Sequence, residues 1–147
     1  MFTRRRKWIV AIVLVVCVGV IAVLIYGTSK TYVISLRITA RFSQEEVQAA
    51  AEYVLAQFEN GYKGCKLKRI YYDDAESLRL AATYIDEPQY DIYGMDPDDI
   101  IVLFSDFRTG AFPPGGFGKN QNYNGWTWYL IRDGKGEPWR EYSHGYC

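Results

Sequence analysis

The sequence predicts an α+β protein: one N-terminal transmembrane helix, then a small domain with a long helix packed on a curved, mainly antiparallel sheet. Three observations predict it. Residues 8–26, WIVAIVLVVCVGVIAVLIY, carry no charge. FSQEEVQAAAEYVLAQFENG has the caps and the 3.6-residue period of an amphipathic helix. Several short segments rich in β-branched and aromatic residues surround it, with period-two alternation and Gly, Pro or Asp turns between them. A chain of 147 residues leaves room for a single domain beyond the apolar run.

At about 1.5 Å per residue, the run from Trp8 to Tyr26 is long enough to cross roughly 30 Å of hydrocarbon. A cleaved signal peptide is its near relative, but this stretch is longer than a signal core, and Ile25 ahead of Gly27 makes a poor cleavage site. Arg4, Arg5, Arg6 and Lys7 precede it and are costly to move across a bilayer, which keeps the N-terminus inside. The expected organisation is therefore a cytoplasmic basic segment at 1–7, a span at 8–26, a short linker at 27–30 and an extracytoplasmic domain at 31–147. The localisation that follows is the cell membrane, single pass, with residues 8–26 in the lipid bilayer.

The zero formal net charge hides a division. The four basic residues before the span leave thirteen basic against seventeen acidic residues beyond Gly27, a net of −4. That balance speaks against nucleic acid as a partner, since phosphate binding needs a basic patch and KGCKLKR reads as a solvated strand edge.

TYVISLRITARF alternates Ile34, Leu36 and Ile38 with Val33, Ser35 and Arg37, a strand with one apolar face. Ser43 with Glu46 then forms a capping box, and Phe42 with Val47 is spaced as a hydrophobic staple. Val47, Ala50, Ala51, Val54, Leu55 and Phe58 make one stripe suited to a sheet, ending near Asn60 and Gly61. CKLKRIYY is the next strand, and Asp73 or Asp74 caps a second helix carried by Leu78, Ala81, Ala82 and Ile85 before Pro88. DEPQYDIYGMDPDD is an irregular connection whose carboxylates lack the register of a calcium loop.

IIVLFSDF is apolar on both faces, which fits a central strand covered on two sides. RTGAFPPGGFGKNQNYN is too long and glycine-rich for a tight hairpin, and loops of this length are often functional. If Asp133 faces Gly136 across the last turn, Leu130 pairs with Trp139, Trp128 with Glu141 and Tyr129 with Arg140. Trp126, Trp128, Leu130 and Trp139 then share a core face, and Thr127, Tyr129, Arg140 and Tyr142 share the other.

Chemistry-bearing motifs are scarce. The single His144 lies near Cys147 and Glu141, yet a nucleophile at a chain end is poorly held, and no catalytic residue is assigned. No metal or cofactor is expected, because Cys65, His144 and Cys147 contain no closely spaced motif pair of the C-x-x-C type and PPGGFG opens no helix to receive a phosphate. Export permits oxidation, so Cys65 and Cys147 either bridge or remain two thiols. The order FSQEE, GCKL, IIVLFSDF, a Gly and Asn loop, WTWYLIRDGKG and HGY resembles a group of small uncharacterised exported or membrane-anchored proteins of Clostridia-type Gram-positive bacteria. The element order is also similar to cystatin-like and NTF2-like folds, in which a helix rests on a curved sheet. Those resemblances imply location and architecture but no site residues.

The reading that results is a noncatalytic interaction domain at the cell surface, with an envelope protein, peptide or glycan as partner; the alternative is a small envelope enzyme with an unrecognised site. The ligand candidates are Phe112, Phe117 and Tyr123 on the long loop, with Tyr129 and Tyr142 beneath it, because rings among Asn and Gly offer stacking area and adaptable hydrogen bonds.

Overall fold

The computed structural model describes residues 33–36 and 41–146. They form an α+β unit with one five-stranded open sheet in the order β1-β2-β3-β4-β5. The strands are β1 (Val33–Leu36), β2 (Cys65–Tyr72), β3 (Ile100–Thr109), β4 (Asn122–Ile131) and β5 (Arg140–Gly145), and the helices are α1 (Gln44–Gly61) and α2 (Asp74–Ile85). β2 to β5 run antiparallel, while β1 lies parallel to β2. A helix between two parallel strands is the expected connection, since a tight turn cannot reverse the chain twice. Among the described residues no helix is long and apolar enough to cross a membrane, and the expected span at 8–26 lies outside them.

α1 starts where its capping box places it. The Glu46 backbone N–H donates to Ser43 Oγ, and the Ser43 N–H donates to Glu46 Oε2 at 2.8 Å. Val47, Ala50, Ala51, Val54 and Phe58 are buried against Ile70, Ile101, Leu103, Phe107, Trp128 and Leu130. α2 covers the opposite face, where Leu80, Ala81 and Ile85 meet Ile100, Val102, Phe104, Tyr129 and Ile131. β3 is thus covered on two sides, as its two-faced apolar pattern requires.

Two expectations need correction. In α2 the buried face is Ser77, Leu80, Ala81 and Ile85, while Leu78 is exposed. Ser77 is drawn inward because the paired part of β2 ends opposite Phe104, leaving the Val102 N–H without a strand partner on that side. Ser77 Oγ accepts it at 2.9 Å. The last hairpin pairs Leu130 with Glu141, Tyr129 with Ser143 and Trp128 with His144, with a bulge between, so the expected register is two or more residues out.

The hairpin register shifts because Arg132 and Trp139 have other partners. The Arg132 N–H donates to Asp99 O, and its buried guanidinium bonds Glu46 Oε1 at 2.6 Å, Asp99 Oδ1 at 3.1 Å and Asp98 O at 2.7 Å. Trp139 stacks under that guanidinium at 4.6 Å and donates to Glu46 O. The strands therefore part after Ile131. The expected division of faces survives the shift: Trp128, Leu130 and Trp139 lie with α1, and Tyr129 and Tyr142 with α2. Trp126 differs from expectation in being only half buried.

Candidate functional site

Three elements converge at the end of α1. Tyr62 is its C-cap, with its backbone N–H on Phe58 O and its ring stacked on Phe58 at 4.8 Å. The long connection Gly110–Gln121 is tied back to the same place, since the Gly110 N–H donates to Gly64 O at 2.9 Å. A Cβ on Gly110 would stand 2.7 Å from that carbonyl, so only glycine permits the approach. Thr109 Oγ1 donates to Gly118 O and accepts the Gln121 N–H, and the Gly118 N–H donates to Tyr123 Oη. The loop is a fixed wall, and it delivers Phe117 against Tyr123 at 5.0 Å, Trp126 at 5.2 Å and Tyr62 at 5.5 Å.

β4 and β5 supply the remaining wall. β4 bulges where Ser105 and Phe107 face Trp126 and Tyr123, and Gly125 adopts φ 69° there. The bulge is held by buried Asp106, which accepts the Gly125 N–H at 2.8 Å and pairs with Arg69 at 2.6 Å. It turns Trp126 toward the loop while Trp128 remains in the core. His144 stands opposite Trp128 on β5 and holds Glu141 Oε1 through Nδ1 at 2.6 Å.

The result is a cleft of 590 Å³ lined by Gly61, Tyr62, Pro114, Gly115, Gly116, Phe117, Tyr123, Trp126 and His144. Tyr62 is 8% exposed, and burial pushes its hydroxyl pKa up to about 12. Tyr62 Oη and Trp126 Nε1 are both buried and neighbour one another, the indole N–H lowering the hydroxyl pKa against the larger effect of burial. The other two described indoles are satisfied: Trp128 Nε1 donates to Ser105 Oγ at 2.9 Å and Trp139 Nε1 to Glu46 O at 3.1 Å.

Phe117 and Tyr123 are thus brought together. Phe112 is not part of the cleft; it is 87% exposed, with the Lys119 ammonium 5.9 Å from its ring centre. Tyr129 and Tyr142 are not beneath the loop. They lie on the α2 face with Tyr84, which is 4.7 Å from Tyr129 and 5.7 Å from Tyr142. Tyr62, Trp126 and His144 are lining residues that the pattern of loop aromatics does not reveal. Tyr62 has one sequence signal: it follows Phe58 by four residues, which continues the α1 stripe past Gly61. Cys65 is a free thiol whose pKa burial raises, and Cys147 lies outside the described residues.

The lining contains no Ser, Thr, Cys or carboxylate side chain; its polar side chains are Tyr62, Tyr123, Trp126 and His144. Among the described residues no three His, Cys, Asp or Glu side chains are placed to hold a metal ion. A second hollow of 300 Å³ beside Glu46, Arg132 and Trp139 is bordered by the ion pairs of Arg132, whose polar groups are already paired. Comparison with known proteins finds no family model, curated protein or solved structure that matches the chain.

Proposed function

We propose that this is a noncatalytic binding domain, held at the outer face of the cell membrane by residues 8–26, that takes an envelope protein, peptide or glycan into the aromatic cleft. The observation that carries the binding reading is the 590 Å³ cleft walled by the rings of Tyr62, Phe117, Tyr123 and Trp126 beside His144. A concave, mainly apolar site with a few polar groups in its wall is the form that ligand sites take. The anchoring rests on the uncharged run and on the basic cluster before it.

The test is a screen of the full chain against peptide and glycan panels, repeated with Phe117→Ala plus Tyr123→Ala. The ligands found should bind the wild type and be lost from the double variant, with the fold intact by circular dichroism. Ligands that bind both proteins equally place the site elsewhere. Protease added to intact protoplasts should digest the C-terminal domain and spare an N-terminal tag; protection of the domain overturns the topology.

A further inference from the structure

We infer that the loop end of the sheet, with Phe112 at its tip and Lys63, Lys66, Arg108 and Lys119 around it, docks on the anionic phospholipid surface of the membrane that residues 8–26 enter. The inference rests on the anchoring part of the reading above and adds a second, reversible contact with the bilayer. Phe112 is the most exposed large apolar side chain among the described residues, at 87%. Its backbone is held in place. Gly110 is bonded to Gly64 O at 2.9 Å, and a Cβ on Gly64 would stand 3.1 Å from Phe112 O, so the tip is pressed against the start of β2. Pro113 and Pro114 follow, two residues with no N–H to strip of water. A ring presented this way suits the interfacial layer of a bilayer, where apolar side chains are buried while the charged groups beside them stay wet.

The cations around the tip come from three separate segments. β2 and β3 pair Lys66 with Arg108, and Lys68 reaches Asn122 Oδ1 on β4 at 2.8 Å, so these side chains share one face. Lys63 lies in the turn before β2, and the Lys119 ammonium is 5.9 Å from the Phe112 ring centre. All five are exposed, and among the described residues none has a carboxylate at ion-pair distance. The carboxylates near them are Asp106, buried and paired with Arg69, and Glu59 in the last turn of α1. The opposite end of the sheet exposes Asp96, Asp98, Asp133 and Glu137, with Lys135 and Arg140 among them. An anionic surface therefore attracts one end of the sheet and repels the other.

Strand direction agrees with charge. β1 is parallel to β2, so Val33 is the end of β1 nearer Cys65 and the basic residues. In sequence only six residues separate Tyr26 from Val33, a reach of at most about 25 Å when fully extended. The bilayer is thus within reach of the end that its charge attracts.

The test uses the full chain, labelled with nitrogen-15, in nanodiscs of phosphatidylcholine alone or of phosphatidylcholine with phosphatidylglycerol. Both contain a lipid whose headgroup carries a gadolinium chelate, which broadens the amide signals close to it. In the anionic discs the Phe112 and Lys119 amides should broaden several-fold more than those of Gly134 and Glu137 at the other end. That contrast should fall in the neutral discs and in Phe112→Ser. Lys66→Glu with Arg108→Glu should shift the docked state about twentyfold or more toward the free one, since each cation near an anionic surface is worth about fivefold. Unmoved Trp128 and Trp139 indole signals show that the variants keep their core. Equal broadening at the two ends in anionic discs overturns the inference and leaves the anchoring in place. So does a contrast that survives neutral lipid, charge reversal or loss of the ring. A chain recovered apart from both kinds of disc overturns the anchoring, and the inference with it.

Discussion

Replacing Tyr62 with Phe should make the protein more resistant to alkaline unfolding. The ring remains in contact with Phe58 at 4.8 Å, Phe107 at 5.5 Å and Trp128 at 5.4 Å, so packing is conserved. Only the hydroxyl is removed, and it is buried beside the Trp126 indole N–H. Alkaline pH brings out the contrast. Tyr62 has a folded pKa raised from 10.0 to about 12, so between those values the unfolded chain ionises while the folded chain does not, and stability falls. The loss is on the order of a few kcal/mol, absent below pH 10 and complete as pH rises through about 12. Other tyrosines contribute to the absolute alkaline loss, but the comparison between wild type and Tyr62→Phe isolates this one. Urea melts of both proteins at pH 7 and pH 11 are the assay. A loss of stability between pH 7 and pH 11 as large in Tyr62→Phe as in wild type would show that the folded hydroxyl titrates as the unfolded one does, and the burial argument would collapse.

Further outcomes follow from the same contacts. Trp128→Ala removes a fully buried indole and its bond to Ser105, and should cost about 3–5 kcal/mol in a urea melt; a loss below 1 kcal/mol contradicts the core assignment. Arg132→Met should cost about 3–5 kcal/mol because it leaves Glu46 and Asp99 without their cation. The Glu46 carboxyl is held below its ordinary 4.5 first by the Ser43 backbone N–H and then by Arg132, so its contribution is present above that value and lost as pH falls through the lower, folded one. The stability gap between wild type and Glu46→Gln should accordingly close in acid. Gly110→Ala forces the loop off Gly64 O and should weaken any cleft ligand while costing about 1–3 kcal/mol; unchanged affinity and stability would show that the loop is not fixed there.

Much of the fold is legible before any coordinates. The Ser43 and Glu46 box begins α1 at the expected residue, because a cap is a local bond between side chains and backbone only three positions apart. The two-faced apolar run of β3 likewise announces cover on both sides. What is not legible depends on distant partners. Nothing near Ser77 says that a strand amide needs it, and nothing near Arg132 says that Glu46 and Asp99 claim it, so the face of α2 and the final register go astray. The site divides in the same way. Phe117 and Tyr123 can be found on a glycine-rich loop, whereas Tyr62, Trp126 and His144 join them only through the end of α1 and the β4–β5 pairing. The strand alternation that puts Tyr129 and Tyr142 opposite Trp128 already argued against placing them under the loop.

The central claim is that the aromatic cleft beside Trp126 takes a ligand. Its most direct test is the indole region of the full chain, recorded before and after adding fractionated envelope peptides and saccharides. One class of ligand should shift the Trp126 indole N–H saturably, while the Trp128 and Trp139 signals, bonded within the core, stay where they are. A Trp126 signal that no fraction moves, or ligands that move Trp139 instead, would contradict the assignment of this cleft as the binding site.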